Sequence, residues 1–274
     1  MRRANIAASR VLLPRAVRLC ASGSATGGAS APPLPTSDDT PVSAPGAYQG
    51  KCPPMPKAAS DFVHLAIDNL PSKDGYTLLC ATIVPRPIGL ISTVSADGVN
   101  NLAPLSFFMP CTSVPCTLAF TLTHRRDGST KDSLNNILAT RQFVVNHVTR
   151  DVFDRAYECG TEWPPDVDEF VKVGFTPLPS VRVKPPRVLQ SRVQLECELL
   201  HVLPVGPAAT HGGGNIVVGQ VVAAHVAKAI YAGDDAIVQP GAMPTVSRLG
   251  GMFYGDAEPK MRAGTDAVWS TAHW

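Results

Sequence analysis

The sequence predicts a mainly β fold: an antiparallel barrel with a few peripheral helices. Three observations carry this. Short apolar, β-branched runs recur between residues 78 and 226, with turn residues between them. Asp97-Gly98, flanked by Val94 and Val99, is a strong hairpin signal, because tight two-residue turns need positive φ. No regular series of helices alternates with the strands, so a doubly wound parallel sheet does not fit.

The elements follow in order. Leu78–Val84 and Pro87–Val94 read as strands from their β-branched, apolar content. Thr117–Thr123 alternates, placing Leu118, Phe120 and Leu122 on one face. Phe143–Val148 is a further strand. Val193–Leu203 alternates Val193, Leu195, Cys197 and Leu199, and Ile216–Val226 is a long β-branched run. Lys131–Arg141 carries Leu134, Ile137, Leu138 and Arg141 at helical spacing, and Ser129-x-x-Asp132 looks like a capping box before it. Asp151–Cys159 repeats the helical pattern with Val152, Phe153 and Ala156. Pro164–Pro186 reads as a long surface loop with at most short structure. His211–Asn215 (HGGGN) is glycine-rich but precedes a strand rather than a helix, so it reads as a hairpin loop and not as a nucleotide loop.

Charge is unevenly spread. The first 37 residues hold no acid, and five arginines (Arg2, Arg3, Arg10, Arg15 and Arg18) lie among them. Residues 1–30 have the Arg-rich, Ser/Ala-rich composition of a mitochondrial transit segment; a basic tail in a cytoplasmic protein is the alternative. The rest of the chain is close to neutral, which argues against nucleic acid as a partner. No window approaches the roughly 18 uninterrupted apolar residues of a membrane span. Residues 31–60 hold eight prolines and too little apolar surface to fold alone, so they read as a linker. The folded body is expected over residues 61–262, with a tail at 263–274.

The seven cysteines are odd in number and scattered, with no C-x-x-C, so buried free thiols are expected rather than a disulfide framework. Cys111, Cys116 and His124 lack the tight pairing of zinc ligands, and no metal is expected.

Two segments carry chemistry. Lys131 and Ser133 stand at a helix start, where free N–H groups and the helix dipole favour an anion such as a phosphate. The same pair also makes an ordinary solvated cap. Asn101 and the run Ala103, Pro104, Leu105, Ser106 follow the hairpin. Asn-Asn there is also common turn chemistry, and Pro104 suits the end of a pairing segment because it has no N–H to give.

These segments belong to a series of motifs. Residues 85–108 read PRPIGLISTVSADGVNNLAPLSFF, and 131–136 read KDSLNN. FVVN (143–146), PPRV (185–188), LEC (195–197) and R-L-G-G-x-x-Y (248–254) come next. In this order, over about residues 76–255, they resemble the flavin-reductase-like family. Ser133 stands where many relatives have threonine, which keeps the hydroxyl.

The resemblance implies an FMN-binding split barrel, antiparallel and Greek-key, working as a homodimer with FMN near the interface. FAD is the alternative cofactor. Hydride would arrive at flavin N5 from NADH or NADPH. The cofactor carries the chemistry, so no catalytic acid, base or nucleophile is expected. Lys131, Ser133 and Ser106 would hold phosphate and ribityl. Asn101 and Ala103, Pro104 and Leu105 would hold the ring. Asn136 completes the KDSLNN motif. Arg86 would be a further contact or a structural salt-bridge partner. Arg248 and Tyr254 would border the face where nicotinamide stacks, or would close the barrel. A non-enzymatic FMN-binding or electron-transfer protein would need the same cradle and stays open here.

Overall fold

The structure is a computed structural model and describes residues 54–233, 238 and 241–257. The transit segment, most of the linker, Cys20, Cys52 and the tail lie outside the described residues. The chain divides into two compact units, residues 1–63 and 64–274. Of the first, one short 3₁₀ turn is described, Ala59–Asp61, where the Asp61 carboxylate accepts the N–H groups of Lys57 and Ala58.

The second unit is built on an antiparallel sheet. Its helices are α1 (Ser72–Thr82), α2 (Asp132–Thr140), α3 (Phe153–Glu158) and α4 (Glu169–Val173). Its strands begin with β1 (Arg86–Pro87), β2 (Gly89–Val94), β3 (Asn100–Leu105), β4 (Phe108–Ser113), β5 (Cys116–Thr123) and β6 (Gln142–His147). Then come β7 (Pro177–Leu178), β8 (Arg187–Val188), β9 (Val193–Val205), β10 (Gly214–Val226), β11 (Val246–Gly250) and β12 (Phe253–Asp256). Seven strands form one sheet in the order β3-β2-β6-β9-β10-β5-β4.

The order dictates the shape. β3 and β4 lie at opposite edges of the sheet, yet only Ser106 and Phe107 separate them in sequence. The sheet must therefore curl until its edges meet. No ladder joins β3 to β4; the Thr121 N–H of β5, donating to the Phe107 carbonyl at 2.9 Å, carries the β4–β5 pairing into the two-residue connection. This is a split barrel.

Strand alternation sorts the side chains. Ile91, Leu118, Phe120, Leu122, Phe143, Val145, Cys197 and Val217 fill the barrel, joined by Leu134 and Ile137 of α2 at one end. Phe120 and Phe143 meet edge to face at 5.2 Å. A Cβ at Gly219 would come within 2.3 Å of the Phe143 ring edge, so this strand position needs glycine. On the other face, Leu90, Leu102, Val148, Val152, Ala156, Phe170 and Val188 form an outer layer beneath α3 and α4. β2 reads as a continuous apolar run because both of its faces are covered. The Ser95–Val99 turn is the hairpin that Asp97-Gly98 predicts, with Gly98 at φ 87°.

Several expectations change. Leu78–Val84 is not a strand, because most of it belongs to α1. Pro85 and Pro87 supply no N–H for a ladder there, and Leu79 and Ile83 lie exposed while Cys80 alone is buried. No capping box forms before α2. Ser129 bonds Asp127 instead, and the Asp132 carboxylate is taken by Arg125 at 2.6 Å. The Pro164–Pro186 stretch is more than surface loop: its short helix α4 drives Phe170 fully into the outer layer. Cys80, Cys159 and Cys197 are buried free thiols, but Cys111 and Cys116 are exposed, because the edge strand β4 and its hairpin turn have no covering layer. His124 faces Asn215 and the Thr210 carbonyl.

One buried charge fastens this frame. Glu196 of β9 is fully buried and accepts the N–H groups of Val181, Arg182 and Val183, with the His225 ring at 2.6 Å. Burial pushes its carboxyl up, but those N–H groups and the ring outweigh burial and hold it below the usual carboxylate range. At the surface, Arg192 and Thr149 hold Asp151 down at about 2. A carboxylate depressed in the folded state stabilises above its unfolded pKa, and that stability is lost as pH falls through the folded value. Thermal stability is thus expected to fall on acidification below about pH 4. Glu196→Gln should lower the melting temperature at neutral pH and flatten the acid limb; an unchanged acid limb would show that Glu196 is not the group responsible.

Candidate functional site

The edge strand β3 is the floor of the site. Its outward edge is unpaired by any strand, and side chains hold part of it. The Leu102 N–H donates to Glu169 Oε2 at 3.0 Å, and Asn100 Nδ2 donates to Asp168 Oδ2 at 2.9 Å. Asp168 also caps α4 through the Phe170 N–H. Burial pushes the Glu169 carboxyl up, partly offset by the Leu102 N–H. Burial and the nearby Glu169 and Glu158 push the Cys159 thiol up to about 12, so it is an inert thiol in the wall.

A polar knot ties the floor to α2. Asn101 Nδ2 donates to Ser133 Oγ at 3.0 Å and to Thr93 Oγ1 at 3.3 Å. Asn136 Nδ2 donates to the same Thr93 hydroxyl at 3.1 Å. Thr93, Ser133 and Asn136 are buried, so each bond is made away from water. Both amide hydrogens of Asn101 are engaged, which leaves its carbonyl oxygen as an acceptor. The Ser133 hydroxyl accepts from Asn101 and keeps its own hydrogen to donate.

Two cavities meet over Pro104 and Leu105. The first has an empty volume of about 510 Å³ and is walled by β3, by Lys131–Ser133 and by the Cys159–Trp163 loop. Lys131 occupies the N-cap position of α2. Its ammonium enters no ion pair among the described residues. The first α2 hydrogen bonds come from Leu134 and Asn135 to the Lys131 carbonyl, so the N–H groups of Asp132 and Ser133 are open to an anion. The second cavity, about 360 Å³, is lined by Ile88, Ser106, Val148, Phe153, Tyr157, Arg248 and Tyr254 beside the shared pair.

The structure therefore brings Asn101, Ala103, Pro104, Leu105, Lys131 and Ser133 to one cleft, and Ser106, Arg248 and Tyr254 to its neighbour. Asn136 lies beneath, holding Thr93. Arg86 stands apart. Its guanidinium donates to the Cys80 and Ile83 carbonyls at 2.6 and 2.8 Å, closing the C-terminal end of α1, and no carboxylate among the described residues pairs with it. It lines a third, apolar cavity with Leu79, Ile83 and Met109. Sequence reasoning missed Thr93, Glu169 and the aromatic walls Phe153 and Tyr157. The Asp168 N-cap was the one local signal for Glu169; its partner, Leu102, lies 67 residues away.

The comparisons decide the family. Residues 81–241 match the flavin reductase like domain model. The chain belongs to the flavin reductase like family. An uncharacterized protein of Aquifex aeolicus is 37% identical over 179 residues, covering 65% of this chain and 88% of that protein. Nitrilotriacetate monooxygenase component B from Bacillus cereus superposes with a TM-score of 0.70 at 25% identity, covering 74% of this chain and 98% of that one. The 2-nitrobenzoate 2-nitroreductase of Pseudomonas fluorescens gives 0.66 at 26%, covering 77% and 100%.

Within this flavin reductase like fold the polar knot carries a structural load. Asn136→Ala removes a buried donor from Thr93 and should destabilise by about 1–3 kcal/mol. Chemical denaturation measures this directly, and a change below about 0.5 kcal/mol would show that the knot is not load-carrying.

Proposed function

We propose that this chain is an FMN-dependent oxidoreductase that takes hydride from NADH or NADPH and works as a homodimer. The observation that carries the reading is the donor set in one cleft: an unpaired Lys131 ammonium and two open N–H groups at α2, beside the edge backbone of β3. That set suits a phosphate at one end and a hydrogen-bonding ring edge at the other. When bound, FMN supplies a hydride acceptor at N5 and onward electron transfer.

The chain's own residues bind and orient. Lys131 supplies charge to the phosphate. The Ser133 hydroxyl, positioned by Asn101, donates alongside it. The Asn101 carbonyl oxygen accepts from a ring N–H. Pro104 has no N–H, so the backbone beside it presents only a carbonyl. Phe153, Tyr157 and Tyr254 line the adjoining cavity and exclude water. The monooxygenase component and the nitroreductase among the similar structures support an oxidoreductase. The apolar cavity of about 890 Å³ flanked by exposed Leu79, Ile83 and Met109 supports a face covered by a second copy. The acid-free, Arg-rich N-terminal segment supports mitochondrial delivery.

The absorbance spectrum of the purified protein, followed by anaerobic NADH, tests this. Flavin bands that bleach on NADH or NADPH are expected. Bands that persist with both donors would instead favour an electron carrier, and failure to bind added FMN would remove the flavin reading. Lys131→Glu should weaken FMN affinity by at least about tenfold, or ~1.4 kcal/mol, in a fluorescence titration. A smaller change would take the phosphate away from Lys131.

A further inference from the structure

Glu169 is the first residue of α4, and only 6% of it is exposed, in the wall of the first cleft. Its two carboxyl oxygens differ. Oε2 accepts the Leu102 N–H at 3.0 Å. No described residue donates to Oε1, and it is not among the polar atoms shut away from solvent without a partner. It faces the cleft that Glu169 helps to wall.

No cation balances this acid. It enters no ion pair among the described residues. The arginines and lysine near it are engaged elsewhere. Arg125 pairs with Asp132, Lys172 on the same helix lies over the Trp163 ring at 4.6 Å, and Arg155 of α3 donates to the Gly174 carbonyl. The charged neighbours that act on Glu169 are themselves acids: Asp168 beside it and Asp132 of α2. Cys159, next to it in the wall, is a neutral thiol with Glu158 at its side. Lys131 and the exposed Glu162 line the same cleft.

Burial, and then these two acids, push the Glu169 carboxyl up. A buried carboxyl without a cation costs less as the neutral acid. In that form the oxygen that accepts from Leu102 is the carbonyl oxygen, so the hydroxyl is Oε1. The acid therefore turns a donor toward the cleft. A flavin ring edge alternates C=O, N–H and C=O. The Asn101 carbonyl oxygen suits the N–H, and a donor is then wanted beside it. Glu169 hangs from Leu102, the next residue along β3.

We infer that Glu169 is a hydrogen-bond donor to the flavin ring: the proton on its Oε1 bonds a carbonyl oxygen of the ring edge, so that binding holds this proton in place. The inference rests on the proposed function and deepens it, by naming the residue that makes flavin affinity depend on pH. The acid form is the binding form. Affinity is thus full below the pKa of the flavin-free protein and falls as pH rises through it, above the usual carboxylate range.

Titration of the flavin-free, full-length protein with riboflavin tests this, because riboflavin has no phosphate to titrate between about pH 5 and about pH 9. Wild-type affinity, read by flavin fluorescence, should fall at least about tenfold across that range. Glu169→Gln keeps an acceptor for Leu102 and a donor that does not titrate, so its affinity should stay within about threefold of the acid-side wild-type value at every pH. Parallel curves for the two proteins, or a flat or rising wild-type curve, overturn the inference; a merely structural carboxyl would leave the pH profile unmoved. If Glu169→Gln fails to fold, calorimetry of the wild type decides. Riboflavin binding on the alkaline side, in two buffers of different ionisation enthalpy, should show net proton uptake, and none overturns the inference. A pH difference between the two proteins seen with FMN but not with riboflavin would put the contact on the phosphate and overturn the ring assignment. If neither flavin binds at any pH, the proposed function itself fails and takes this inference with it.

Discussion

Closure of the sheet is the constraint on which the rest of the molecule depends. β3 and β4 are joined by two residues but occupy opposite edges of a seven-stranded sheet. No flat or gently twisted sheet satisfies that connection. Once the sheet curls, alternation assigns every side chain to the barrel interior or to the outer layer, and Leu90 and Ile91, adjacent in sequence, enter different cores. The two edges are joined by the two-residue connection and not by a ladder. A split barrel thus keeps an open edge that a closed barrel would lose.

That open edge explains where the site lies. An edge strand presents N–H and C=O groups that must find partners. Along β3 the protein covers only part of them, with Glu169 on the Leu102 N–H, and Pro104 removes one donor outright. What remains faces a cleft and is available to a ligand that reads backbone. The polar knot of Thr93, Asn101, Ser133 and Asn136 fixes α2 against this edge. The anion-suited helix start and the backbone-reading edge are therefore one rigid arrangement rather than two neighbouring features.

Much of this was legible in the sequence because it is local. Leu118, Phe120 and Leu122 announce their face by period two, Asp97-Gly98 announces its turn, and the LEC and KDSLNN segments sit where the motif order places them. Lys131 and Ser133 were readable as a helix start from Leu134 and Ile137 alone. The failures share a different cause. Leu78–Val84 has the composition of a strand, but flanking prolines and a missing partner made helix the available structure. Ser129 and Asp132 fit a capping box by spacing, yet Asp127 and Arg125 competed for them. Glu169 beneath Leu102, Glu196 beneath Val181–Val183 and Arg86 opposite Arg248 depend on pairings distant in sequence, and no local pattern encodes them.

The distribution of charge follows from the same geometry. Three carboxylates near the site are engaged: Asp132 by Arg125, Asp168 by Asn100 and the Phe170 N–H, Glu169 by Leu102; Glu162, which also lines the first cavity, lies open at its rim. Two cations have no carboxylate partner among the described residues: Lys131 at one end of the Pro104–Leu105 ridge and Arg248 at the other. Lys131 and Arg248, facing two contiguous cavities, raise the local potential there above what the net charge suggests. Burial makes that field stronger than the same charges would create at the surface, because less water screens it. The near-neutral body of the chain therefore conceals local clusters of charge that net charge does not report.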